Sequence, residues 1–128
     1  MSKKKPSDYD QNIVDALLEL DNPIIGKGGK KFYIRDKARN ETGLQHIASK
    51  RHRLKVRDIQ CVSSILKHPS FESVDANNKN YRNYYGIRKG LNKNNVLIKI
   101  VTWPNESNPN EEMIITIYPT SSIKVEKI

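Results

Sequence analysis

The chain has one cysteine, Cys61, and three histidines, His46, His52 and His68, among 128 residues. One thiol closes no internal disulfide, and one thiol with three scattered histidines has no zinc-ligand spacing. Cys61 lies inside an apolar pattern and reads as core rather than nucleophile. There is no His-Glu-x-x-His pair, no aspartate cluster, no Gly-x-Ser-x-Gly elbow and no dinucleotide fingerprint. Neither a metal nor an organic cofactor is therefore expected. No apolar run approaches the roughly 18 residues that cross a bilayer, and Met1-Ser2-Lys3-Lys4-Lys5-Pro6 is not followed by an apolar signal segment. The expectation is a soluble, cytoplasmic chain with no membrane partner.

What the chain does have is positive charge, and it is concentrated. Lys plus Arg total 23 against 14 acids, a formal net charge of +9. Between Lys27 and Arg57 stand eleven cations against Asp36 and Glu41, whereas the rest of the chain carries twelve of each sign. The whole excess thus belongs to one segment, which points to a polyanionic partner, nucleic acid foremost.

With 36% hydrophobic residues the chain can bury one modest core. Residues 1–6 read as a disordered basic tail and residues 7–128 as a single domain. Ile13, Val14, Leu17, Leu18 and Leu20 share a helical stripe that Ser7 or Asp8 starts and Asp21-Asn22-Pro23 stops. Lys27-Gly28-Gly29-Lys30 lacks Walker spacing and reads as a basic hairpin turn before a strand at Lys31–Arg35. A second helix begins near Thr42, and a third runs from about Val56 to Lys67, with His68 at its end in a structural role. Beyond Pro69 come an extended piece, Phe71–Val74, and strands at Tyr81–Arg88, Val96–Trp103 and Met113–Tyr118. Pro104–Glu112 reads as a polar loop and Ile123–Ile128 as an edge strand. Helices followed by antiparallel strands argue an α+β fold.

Pairing Trp103 with Glu112 sets Lys99 opposite Thr116 and Leu97 opposite Tyr118. One face of that hairpin then holds Val96, Ile98, Ile100, Met113, Ile115 and Ile117 and should pack on the helices. The other holds Leu97, Lys99, Val101, Trp103, Thr116 and Tyr118, expected as an open, partly wet surface.

The chemistry left to this sequence uses His, Arg, Lys, Tyr and Thr. Two histidines sit in Gln45-His46-Ile47-Ala48-Ser49-Lys50-Arg51-His52, at the centre of the positive segment. On a continuous helix six positions turn about 240° net, so His46 and His52 converge only if the helix ends near Lys50. Metal-independent RNA cleavage needs this repertoire: a base for the 2′-hydroxyl, cations for the phosphorane and an acid for the 5′-oxygen.

His46-Ile47-x-x-x-Arg51-His52, the helix ending Lys67-His68-Pro69, Tyr84-Tyr85-Gly86-x-Arg88, Val96–Val101 and Ile114–Pro119 together resemble the phage-associated nucleases of the barnase, EndoU, colicin and RelE superfamily. The resemblance spans about Lys31 to Ile128. It implies N-terminal helices packed on a four-stranded antiparallel sheet with a metal-independent ribonuclease site on the open face. It further implies that His46 is general base or acid and that His52 and Arg51 bind phosphate or complete the acid/base pair. Arg88 and Lys99 would stabilise the phosphorane, Tyr85 would orient a base or phosphate, and Thr116 would be the polar position beside Tyr118. Barnase's strand-borne catalytic glutamate has no obvious counterpart here, which shifts the weight to histidine. Arg53, Lys55, Trp103 and Tyr118 complete the substrate-binding set. Implied partners are RNA, tRNA in first place, and a neutralising immunity or antitoxin protein, with delivery into a target cell as part of a larger toxin an alternative location.

Two other readings stand beside this one. A module that binds single-stranded RNA without cutting it would stack bases on Tyr81, Tyr84, Tyr85 and Trp103. An interaction protein would present the basic face to an acidic partner.

Overall fold

The computed structural model describes residues 8–34, 42–89 and 95–120. The expected basic tail, Arg35 and the Ile123–Ile128 strand lie outside them. Helix α1 (Gln11–Glu19) is capped by Asp10, whose side chain accepts from Asn12 N–H at 2.9 Å. It buries Ile13, Val14, Ala16 and Leu17, while Leu18, expected on the apolar stripe, is exposed because Ala16 takes the inner edge instead.

Strand β1 (Ile24–Ile25) turns through Lys27–Gly29 into β2 (Lys31–Ile34), so the basic glycine stretch is a hairpin turn. Gly28 and Gly29 both take positive φ there, which side chains disfavour. Helix α2 (Thr42–Ile47) follows. The expected third helix is split at Cys61 into α3 (Val56–Gln60) and α4 (Val62–Lys67); of its expected apolar set, Ile59, Val62, Ile65 and Leu66 are buried and Val56, in the first turn, is exposed. Cys61 is half-buried and packs against that core. His68 caps α4 and is exposed, in keeping with a structural place at a helix end.

Strands β3 (Phe71–Val74), β4 (Arg82–Lys89), β5 (Asn95–Asn105) and β6 (Asn108–Thr120) form an antiparallel meander. The sheet does not stop at four strands. Its order is β1-β2-β6-β5-β4-β3, six strands, with β2 lying parallel to β6. The fold is α+β, and the four-stranded antiparallel sheet is corrected to a six-stranded mixed one. The correction arises because Lys31–Ile34 pairs with Glu111–Ile114, a distant partner that no local pattern announces.

The expected loop Pro104–Glu112 is mostly strand. Asn105 pairs with Asn108, leaving Glu106 and Ser107 as the turn, where Asn105 Oδ1 accepts from Ser107 N–H at 2.9 Å. A β-bulge between Val101 and Thr102 also changes the register: Trp103 faces Met113, Val101 faces Thr116 and Lys99 faces Tyr118. The extra residue is Ile115. Ile114 and Ile117, three apart, both enter the helix-packed core, whereas Met113 and Ile115 do not, contrary to strict alternation.

The core lies between the helices and the face bearing Phe32, Ile34, Tyr84, Ile98, Ile100, Ile114 and Ile117. Two polar arrangements are embedded in it. Glu112 accepts from Tyr84 Oη (2.8 Å), Thr102 Oγ1 (2.6 Å) and Lys30 Nζ (2.6 Å), which ties the β1–β2 hairpin to the sheet. Asp58 accepts from Lys55 N–H at 2.8 Å and from Arg88 Nε, with both side chains of the ion pair buried. Close packing is tight at Gly86, where an added Cβ would lie 2.4 Å from Ile65 Cγ1.

Candidate active site

The loop between α2 and α3 builds the site. Leu44, Ile47 and Ala48 are buried, so α2 is anchored on its apolar side. The chain then leaves the helix and is held extended at Ser49 by a bridge to Tyr9, with Ala48 O accepting from Asp10 N–H and Asp8 O from Lys50 N–H, each at 3.0 Å. It coils once more through a 3₁₀ turn at Lys50–His52, which Arg53 ends in the left-handed region (φ 56, ψ 31). Leu54 pins the far side in the core.

That break in the helix is what sequence periodicity required for the two histidines to meet. Their ring centroids are 5.7 Å apart, edge to face. The carbonyl of Ile47 accepts from His52 Nδ1 at 2.9 Å. A carbonyl only accepts, so the Nδ1 position carries the proton and Nε2 is the nitrogen left for chemistry. Tyr118 stands on the other side of His52, 6.0 Å between centroids.

His46, Arg51, His52, Arg53, Thr116, Tyr118 and Pro119 line one open pocket of about 430 Å³. Thr116 Oγ1 is buried at its wall with no hydrogen-bond partner among the described residues. Arg51 and Arg53 are exposed in its wall, Lys50, Lys55 and Arg57 are exposed along the same stretch of chain, and none of the five forms an ion pair among the described residues. The pocket lining thus carries two cations, Arg51 and Arg53, and no carboxylate among the described residues.

The remaining predicted residues fall elsewhere. Arg88 does not join the pocket: register puts Tyr85 beside Lys99 and Arg88 beside Val96, so Arg88 faces the helices and pairs with Asp58. Lys99 is on the pocket's side of the sheet but only 6% exposed, behind Tyr118 rather than in the pocket lining. Tyr85 is fully buried and cannot stack a base, and Tyr84 is buried on the core face with its phenol pushed upward by burial and by Glu112. The strand face expected to be open and wet is thus largely closed, because Phe71, Tyr85 and Tyr118 crowd around Lys99. Trp103, 46% exposed, pairs with Tyr81 at 6.1 Å and lies about 13 Å along β5 from Lys99.

Asp75 is a residue that sequence reasoning does not single out. It follows β3 directly, and its Oδ2 accepts from the N–H groups of Asn77 (3.0 Å) and Asn78 (3.1 Å) while Oδ1 faces Lys99 Nζ at 3.5 Å. Burial works to raise its pKa, yet these N–H groups, the nearby Asn83 amide and Lys99 together hold it below the usual carboxylate value. The Asp75-Ala76-Asn77-Asn78 run carries the signal, since aspartate before an Asn-rich turn favours such side-chain capping.

No family model matches the chain. No curated protein and no solved structure matches it either. Among the described residues no group of three His, Cys, Asp or Glu comes together in a way that could hold a metal, and no helix is long and apolar enough to cross a membrane.

Proposed function

We propose that the protein is a metal-independent endoribonuclease of the superfamily its motifs resemble, with tRNA in first place as target. The observation that supports this reading is the meeting of His46 and His52 at 5.7 Å in a pocket shared with Arg51 and Arg53. One imidazole takes the 2′-hydroxyl proton, and the 2′-oxygen attacks the adjacent phosphorus. The other imidazole protonates the departing 5′-oxygen, leaving a 2′,3′-cyclic phosphate and a free 5′-hydroxyl. His52 Nε2, its tautomer set by Ile47 O, suits either step. Arg51 and Arg53 stabilise the negative charge that grows on the phosphorane. A neutralising protein partner belongs to the same reading. Incubating purified protein with total RNA in EDTA, and separating products by gel and terminal phosphate analysis, tests it. Intact RNA at all protein concentrations would overturn it.

A further inference from the structure

Behind the pocket lies a chain of contacts that the proposed reaction does not use. Lys99 stands directly between Tyr85 on β4 and Tyr118 on β6 in the strand register. Its ammonium is 5.3 Å from the Tyr118 ring centroid and 3.5 Å from Asp75 Oδ1. Tyr118 in turn lies 6.0 Å from His52. Both charged side chains are close to fully withdrawn from water, and two backbone N–H groups fix Asp75 from behind.

A buried ion pair gives little net stability, since desolvation offsets attraction. What it does supply is a fixed direction. We propose that Asp75 and Lys99 are positioning residues of the pocket, acting through Tyr118 to hold the His52 ring at its place in the wall. The proposal rests on the reading of the pocket as the reaction centre only where rate is concerned; the geometric part stands apart from it. Burial alone would lower the Lys99 pKa, but Tyr118, Tyr85 and the Asp75 carboxylate outweigh it and raise it, so the cation persists beside the phenol.

The groups that bear on His52 are His46 from α2, Arg51 and Arg53 from its own turn, and Tyr118 from β6, with Lys99 and Asp75 behind Tyr118. Lys99 and Asp75 are opposite charges paired at 3.5 Å, so their effects on a neighbouring group oppose one another. Removing one charge leaves the other uncompensated, which gives opposite signs for the two removals.

The test is an NMR titration of His52 in the full chain, with steady-state RNA cleavage measured alongside. Asp75→Asn should lower the His52 midpoint and Lys99→Met should raise it. The double variant should return it close to wild type. Ring contacts between Tyr118 and His52 should weaken in Asp75→Asn, and kcat should fall about tenfold with little change in KM. If Lys99→Met fails to fold, Lys99→Arg takes its place and should keep both the midpoint and the ring contacts. Midpoints that move the same way in both removals, or ring contacts unchanged in Asp75→Asn, overturn the positioning role. Wild-type protein that leaves RNA intact while the Tyr118–His52 ring contacts weaken in Asp75→Asn overturns the cleavage reading and supports the positioning.

Discussion

The imidazoles of His46 and His52 meet edge to face with 5.7 Å between centroids, although the first belongs to a helix and the second ends a separate 3₁₀ turn. Each is expected to carry one proton transfer. His46→Ala and His52→Ala should therefore each reduce RNA cleavage by about 10²–10⁴-fold in EDTA, with far-ultraviolet circular dichroism unchanged. The double variant should fall by much less than the product of the two, because the groups act as a unit.

Arg53 occupies left-handed backbone at the pocket rim, a conformation that costs a non-glycine residue about 1–2 kcal/mol. Arg53→Gly should relieve that strain, and after the extra freedom glycine brings to the unfolded chain it should raise stability by up to about 1 kcal/mol in urea melts. The same change should weaken RNA binding. With Arg51→Gln added, the slope of log K against log salt should become shallower by about 0.7 for each phosphate of a single strand that the protein no longer neutralises.

Arg88 is assigned to stability. Arg88→Met strips Asp58 of its buried partner and should cost about 3–5 kcal/mol in chemical denaturation. Cleavage per folded molecule should change little, since Arg88 faces the helices and not the pocket. A large drop in kcat in protein that remains folded would return Arg88 to the reaction.

Asp75 and Lys99 should leave opposite marks on the dependence of stability on pH. The folded-state pKa of Asp75 is depressed, so its contribution is complete above the unfolded value near 4 and is lost as pH falls through the folded value. That of Lys99 is raised, so its contribution is complete below about 10.4 and is lost as pH rises through the folded value. Urea melts across pH should show Asp75→Asn flattening the acid limb and Lys99→Met flattening the alkaline one.

Much of the molecule is legible in its sequence where information is local. The stripe Ile13, Val14, Leu17 marks α1, and Ile59, Val62, Ile65, Leu66 mark the buried side of α3 and α4. The two pocket histidines are legible too, together with the condition that the helix between them must end. Parity and distance are not. The bulge at Val101–Thr102 sends Ile114 inward where alternation sends Met113 and Ile115, and an odd separation puts Arg88 and Lys99 on opposite faces. Glu112, in the polar run Asn108-Pro109-Asn110-Glu111-Glu112, looks like loop because its partners Tyr84, Thr102 and Lys30 come from elsewhere in the chain.

The parallel pairing of β2 with β6 sets the order in which the molecule can assemble. Lys30 and Glu112 are 82 residues apart, and the pocket itself needs Thr116 and Tyr118 from the same late strand. Closing so long a loop costs entropy before any contact repays it, which makes such topologies slow to fold. During synthesis the basic loop with its two histidines emerges well before the strand that completes the pocket. A nascent chain would therefore carry the cations proposed to hold RNA without the finished wall beside His52.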